Sequence, residues 1–285
     1  LYRGDAVAPH QHASNIDGYL NRGIHNSTAK VTVGVTDDVE LLSVTNFQSL
    51  NKTYLEDGDG LSANIIQFNT HIDYQQTSQE LRLLGGDNKH RWQVGAYYLD
   101  MDHDGVIATV GNPVLRLVNT LQTSEQLPAD YDPNTGSPQA VQNYNLGSRN
   151  HSLFGQYEWE VFSNVTMVSG FRWSEDTKTL DYTRGFQDLS ADISLIEQVS
   201  VTPKHPIANI KYKDYAARLQ FNWQSTSDTL YFVSYNRGIK VGNWAFSSGV
   251  HVEQLQHAPE TLHAYELGTK SLYPHSNLQI NSTLF

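Results

Sequence analysis

The chain has 285 residues, 39% of them hydrophobic, with a formal charge of -11 and a mean hydropathy of -0.48. No stretch approaches the roughly 18 apolar residues of a membrane-crossing helix, which excludes helical membrane proteins but not a β-barrel, whose lipid-facing residues are diluted by lumen residues. Scattered Lys and Arg in an acidic chain argue against nucleic acid, and the absence of cysteine removes disulfides and thiolate chemistry.

The chain opens Leu1-Tyr2-Arg3-Gly4, without Met or a signal-like segment, and so reads as starting inside a longer sequence or after processing. Residues 1–28 are expected to form an outer loop leading into the first strand. Strand-like runs follow at 29–36, 39–50, 74–84, 91–101, 150–162, 165–180, 211–224, 229–240, 261–273 and 278–285. Short separators rich in turn formers fall at Asp37-Asp38, 85–90, Ser163-Asn164, 225–228 and 274–277. Long ones fall near 51–73, 102–149, 181–210 and 241–260. This alternation predicts tight turns at one membrane surface and long outer loops at the other. Most of the runs reach the roughly 9–11 residues that a tilted strand needs to cross a bilayer.

Period-two alternation assigns the faces. Leu81 and Leu83 share one face with Trp92, Val94, Ala96 and Tyr98 of the next run, while Glu80 and Arg82 share the other. Tyr157, Trp159 and Val161 alternate with Gln156, Glu158 and Glu160; Phe171 and Trp173 flank Arg172; Tyr215 through Trp223 alternate with Arg218, Gln220 and Asn222. The aromatics are expected to form interfacial girdles and the charges to line a wet lumen. The fold class is therefore all-β, an antiparallel transmembrane β-barrel.

Several segments in order resemble TonB-dependent outer-membrane receptors. They are Ser43-Val44-Thr45-Asn46-Phe47, Gln79-Glu80-Leu81-Arg82-Leu83 with Trp92 through Tyr98, and Ser152 through Glu158 with Val168 through Asp176. Tyr231 through Lys240, and Pro259-Glu260-Thr261 through Lys270, complete the set. The resemblance covers residues 38–285. It implies a barrel of about 22 strands, of which the ten runs are a front-half fragment spanning 29–285, and an N-terminal plug that is not visible in the chain. Leu278, Ile280, Ser282 and Leu284 are out of phase with Phe285, so the last run does not read as a barrel's terminal strand. The resemblance further implies active uptake of a scarce small-molecule ligand (siderophore iron, haem, cobalamin or oligosaccharide) across a Gram-negative outer membrane. TonB with ExbB and ExbD would energise it through the plug, with outer-membrane lipid and lipopolysaccharide around the wall. A passive porin-like channel shares the strand pattern, and a soluble all-β carbohydrate-binding module is the remaining alternative.

Inward charges are expected at Glu80, Arg82, Glu158, Arg172, Arg218, Glu266 and Lys270, since a charge facing midplane lipid costs roughly 2–4 kcal/mol. Gly95, Gly170 and Gly268 sit among them, where a missing side chain would let plug or loop backbone approach. Ligand contacts are sought in the long loops, at Tyr131, Tyr144, Trp244 and Phe246. Asp100, Asp102 and Asp104 open like a calcium loop, but Gly111 stands where the bidentate Glu belongs, so a solvated strand rim is the plainer reading. His10, His12, His251, His257 and His263 fit no metal-ligand spacing, and neither a nucleophile elbow nor a phosphate loop is present. Neither an enzyme nor a resident cofactor is expected.

Overall fold

The structure, a computed structural model, describes residues 14–60, 62, 66–111, 137–185, 199–246 and 254–285. Thirteen strands are present among them: β1 (Tyr19–Thr36), β2 (Val39–Asp57), β3 (Gln67–Gly86), β4 (His90–Gly111), β5 (Ser137–Phe162), β6 (Val165–Gly185), β7 (Val199–Val201), β8 (Asn209–Thr226), β9 (Thr229–Lys240), β10 (Asn243–Trp244), β11 (Gln256–His257), β12 (Glu260–Tyr273) and β13 (Leu278–Leu284). Ten of these make one antiparallel meander in the order β1-β2-β3-β4-β5-β6-β8-β9-β12-β13, and they are the ten runs that the residue pattern predicts. The short β7 adds to the end of β6, and β10 pairs with β11 as a separate hairpin.

The turns at one end of the wall are tight for local reasons. The Asp87 carboxylate accepts from the backbone N–H of Lys89 at 2.7 Å and of His90 at 2.8 Å. Gly86 precedes it at φ +138, where an added Cβ would stand 2.0 Å from the His90 carbonyl oxygen, so no larger residue closes this turn. At the opposite end the ladders run further than expected. β1 starts at Tyr19, β2 and β3 pair up to Asp57–Gln67, and β4 and β5 pair up to Gly111–Ser137. There, apolar and polar side chains no longer alternate: Val106, Ile107, Ala108 and Val110 lie almost in succession on β4. The alternation that reveals a strand at bilayer depth fades, while the neighbouring strand still carries the hydrogen bonds onward.

Directly opposed residues of an antiparallel pair share a face. One face carries Leu81, Leu83, Val94, Leu153, Phe171, Leu219, Phe221, Val233 and Leu267, all exposed, with Leu153 60% accessible. An apolar surface this continuous is larger than a soluble monomer ordinarily leaves uncovered. Two aromatic belts bound it. Near the tight turns Trp223 stacks on Tyr231 at 5.4 Å and Trp159 on His90 at 6.2 Å. Toward the other end Phe171 stacks on Tyr215 at 5.6 Å, and Tyr235 meets Tyr265 at 5.1 Å. Along β8 the belts lie roughly 26 Å apart at ~3.3 Å per residue, which a strand tilt of about 35–45° turns into about 20 Å of height, somewhat less than the roughly 25 Å of an apolar band. Above Tyr215 on the same face stand Lys213 and Lys211, both paired to Glu175 at 2.9 and 3.0 Å. The apolar face ends there.

The buried core is small and lies on the opposite face, beyond the upper belt. It consists of Tyr144, Leu180, Tyr182, Val201, Ala208, Ile210, Trp244 and Leu255.

Candidate functional site

The polar face carries Glu80, Arg82, Glu158, Arg172, Arg218, Glu266 and Lys270, which the strand register places on one side of the wall. Glu80 accepts from Arg82, and Glu158 from Arg91 at 2.5 Å. Arg172 donates to Ser152 at 2.9 Å and to Ser174 at 3.3 Å, and its guanidinium lies 5.2 Å from the Tyr97 ring. The Phe154 ring has Arg82 and Arg172 each 5.7 Å from its centroid, so two cations share one aromatic face system at mid-wall. Arg218 donates to Gln220, Ser234 donates to Glu266 at 3.5 Å, and Lys270 stands 5.9 Å from the Phe232 ring.

Two of the three glycines on this face have a different role from the one expected. An added Cβ at Gly95 would meet the Phe154 ring at 2.5 Å, and one at Gly268 would meet the Phe232 ring at 2.5 Å. A ring from the neighbouring strand, rather than plug or loop backbone, fills each gap, because the register sets Gly95 opposite Phe154 and Gly268 opposite Phe232. Gly170 is more open, with its nearest neighbours at 3.8 Å.

At the end with long connections the same face turns aromatic. Gly105 pairs with Tyr144, whose ring lies over the glycine, and Tyr144 pairs across with Tyr182. The Tyr144 hydroxyl and His103 Nε2 are 3.1 Å apart, and His103 meets Tyr74 edge-on at 5.9 Å. Residues after β9 fold back over this floor. Trp244 Nε1 donates to the Ile207 carbonyl at 2.7 Å, and the Ala245 N–H donates to the Leu255 carbonyl at 2.8 Å. Phe246 then stacks on Tyr144 at 4.7 Å and on Tyr182 at 5.0 Å. Burial pushes the His103 imidazole pKa down, with Asp104 opposing, so the ring favours its neutral form. Burial raises the Tyr144 and Tyr182 phenols and lowers the Lys178 ammonium.

Of the four loop aromatics, Tyr144, Trp244 and Phe246 therefore meet in one cluster, and Tyr131 lies outside the described residues. Tyr182, Tyr74 and His103 join them without having been singled out; carrying the inward phase of β6 two residues past Leu180 would have found Tyr182. Asp100, Asp102 and Asp104 lie along β4 on the other face, where Arg149 pairs with Asp100 at 3.3 Å and Asn145 donates to Asp104 at 2.7 Å. An extended strand spaces them too far apart to converge, and among the described residues no group of three or more His, Asp or Glu is placed to hold a metal ion. His257 lies in β11, His263 is 3.0 Å from the Tyr235 hydroxyl, and His10, His12 and His251 fall outside the described residues.

The family model for "TonB dependent receptor-like, beta-barrel" matches residues 3–285. The chain belongs to this family. Barrels of this family stand in the Gram-negative outer membrane, and the family is one of transporters rather than enzymes. The wall resembles the ferric yersiniabactin uptake receptor FyuA from Yersinia pestis, at 15% identity and TM-score 0.67, covering 91% of this chain and 35% of that one. It also resembles the siderophore receptor PiuA from Acinetobacter baumannii, at 14% identity and TM-score 0.65, covering 93% and 40%. A third likeness is to the ferric-catecholate import receptor Fiu from E. coli K12, at 11% identity and TM-score 0.62, covering 93% and 40%. Such identities carry the fold alone. The chain spans 35% to 40% of the length of these receptors.

Proposed function

We propose that this wall belongs to a receptor that actively takes up a scarce small ligand, with an iron chelate as the favoured cargo, from outside the cell. TonB, with ExbB and ExbD, energises entry through a plug seated against the lumen face. The observation that carries the reading is the aromatic cluster of Tyr144, Tyr182 and Phe246 on the lumen side of a TonB-dependent receptor wall, above the lipid band. Rings placed there offer contact area at the mouth before the ligand meets the charged middle of the wall. The iron cargo is supported by what the names of FyuA, PiuA and Fiu state of those proteins.

The test is uptake of iron-55 chelates by cells carrying the full-length gene, with and without TonB. Uptake that needs TonB and saturates at low concentration supports the reading. Uptake unchanged without TonB, together with steady conductance of the purified protein in planar bilayers, would make the wall that of a passive channel.

A further inference from the structure

We propose that Lys211 and Lys213 seat the phosphate of an anionic lipid whose acyl chains lie on the apolar face below them. The inference concerns the other side of the wall from the aromatic cluster. It takes the apolar face to meet lipid and is independent of the cargo proposed above.

Alternate residues of β8 stand in one column on this face: Lys211, Lys213, Tyr215, Ala217 and Leu219. From the end with long connections, the column passes from two cations through an interfacial ring to apolar surface. A phospholipid standing beside the wall presents phosphate, ester and hydrocarbon in that same order. The apolar part is not flat. Phe171 is opposed by Ala217 on β8 and by Gly155 on β5, and an added Cβ at Gly155 would have no neighbour closer than 3.5 Å. The Phe171 ring, 54% exposed, is therefore a ridge with a shallow channel on either side, each a bed for one hydrocarbon chain.

The two ammonium groups are held as a pair. Lys211 Nζ meets Glu175 Oε1 at 3.0 Å and Lys213 Nζ meets Oε2 at 2.9 Å, so one carboxylate keeps both in place. Two ammoniums on one carboxylate leave one positive charge over, and each has three N–H donors of which Glu175 takes one. Both lysine side chains remain more than half exposed. Lys213 also lies 6.0 Å from the Trp173 ring, which steadies its stem at the edge of the apolar surface. Charge singles out this sector of the face. Toward the same end, β3 and β4 carry Asp73, Asp100, Asp102 and Asp104 on this face, and Arg149 on β5 is spent on Asp100. A lipid phosphate is repelled there and drawn to the lysines of β8.

The experiment uses the full-length receptor purified from outer membranes in a neutral detergent, with its folding checked by faster migration unboiled than boiled on SDS gels. Native mass spectrometry follows the lipid-bound fraction as dioleoyl phosphatidic acid is added, or dioleoylglycerol, which has the same chains without the phosphate. Phosphatidic acid is expected to bind the more tightly and to stay bound in millimolar inorganic phosphate. Changing Lys211→Gln and Lys213→Gln together is expected to weaken phosphatidic acid about thirtyfold, in line with the attraction of two surface lysines for an anionic lipid. Dioleoylglycerol is expected to be unaffected. Lys211→Arg with Lys213→Arg keeps the charge and is expected to retain phosphatidic acid. Unchanged phosphatidic acid binding in the Gln pair, or an equal loss of both lipids, would overturn the proposal. So would a loss in the Arg pair as large as in the Gln pair, or no preference for phosphatidic acid in the wild type. Displacement by inorganic phosphate would make this a site for the free anion and overturn the lipid assignment. TonB-dependent iron uptake is measured separately, so the receptor reading stands or falls by itself.

Discussion

Arg237 on β9 grips the carboxylate of Asp214 on β8 with both ends of its guanidinium, Nη1 to Oδ1 at 2.9 Å and Nη2 to Oδ2 at 3.0 Å. Backbone pairing between these strands ends at Ala217–Arg237; above it β8 continues with β6 and β9 with β12. The guanidinium enters the gap, donates to the Tyr215 carbonyl and rests 4.1 Å from the Tyr215 ring. It therefore joins two edges that have no ladder of their own, just above the upper aromatic belt.

This pair sets a pH dependence. Hydrogen bonding from Arg237, opposed by burial and helped by the Tyr215 N–H and the Tyr212 hydroxyl, lowers Asp214 from 3.8 to about 2. A folded-state pKa below the unfolded value means that the stabilisation is fully present above about 4 and lost as pH falls through about 2. Thermal unfolding in detergent should show a pH-dependent contribution between pH 4 and pH 2 that Asp214→Asn abolishes. Arg237→Lys, unable to fork, should unfold at lower temperature than wild type at pH 7. An unchanged midpoint in Arg237→Lys would remove the seam-holding role.

Gly95 and Phe154 should be energetically coupled. Gly95→Ala drives a Cβ against the Phe154 ring and within 2.6 Å of the Leu81 carbonyl oxygen. Overpacking of this kind costs roughly 1–3 kcal/mol. Adding Phe154→Ala should recover part of that loss by removing the ring, though not the backbone clash. Urea unfolding of the two single variants and the double variant measures the coupling, and strict additivity would contradict it.

The lipid band should have a sharp upper limit. Leu219 lies between the belts on the apolar face, so Leu219→Arg should cost roughly 2–4 kcal/mol and lower the amount of assembled barrel. Thr177 pairs with Lys211 above the band, so Thr177→Arg should cost about 0–1 kcal/mol. Outer-membrane yield and unfolding midpoints compare the two. Equal penalties would mean that the band extends past Glu175.

Trp244→Phe should loosen the hairpin without unfolding the wall. It keeps most of the packing but leaves the Ile207 carbonyl without its 2.7 Å donor, a loss of about 1 kcal/mol. Limited proteolysis should cut faster within the β10–β11 hairpin, while the temperature at which the barrel loses its gel mobility stays the same.

The sequence by itself determined the wall at bilayer depth. Leu81, Leu83, Val94 and Leu219 against Glu80, Arg82 and Arg218 identified the two faces, because lipid on one side and water on the other forces alternation residue by residue. The tight turns, such as that closed by Gly86 and Asp87, were legible for an equally local reason: positive φ and side-chain capping are properties of a few adjacent residues.

Only the tertiary structure decided what happens above the bilayer and between strands. Where Val106, Ile107, Ala108 and Val110 follow one another without polar alternation, the pattern no longer marks where β4 and β5 stop, and pairing with the neighbour alone carries them to Gly111 and Ser137. Gly95 under Phe154, Arg237 across to Asp214, and Tyr144 and Tyr182 beneath Phe246 join residues on separate strands and hairpins. These contacts depend on register and on one loop folding back over the lumen face. Alternation within a strand says which way a side chain points, and register alone says what it meets there.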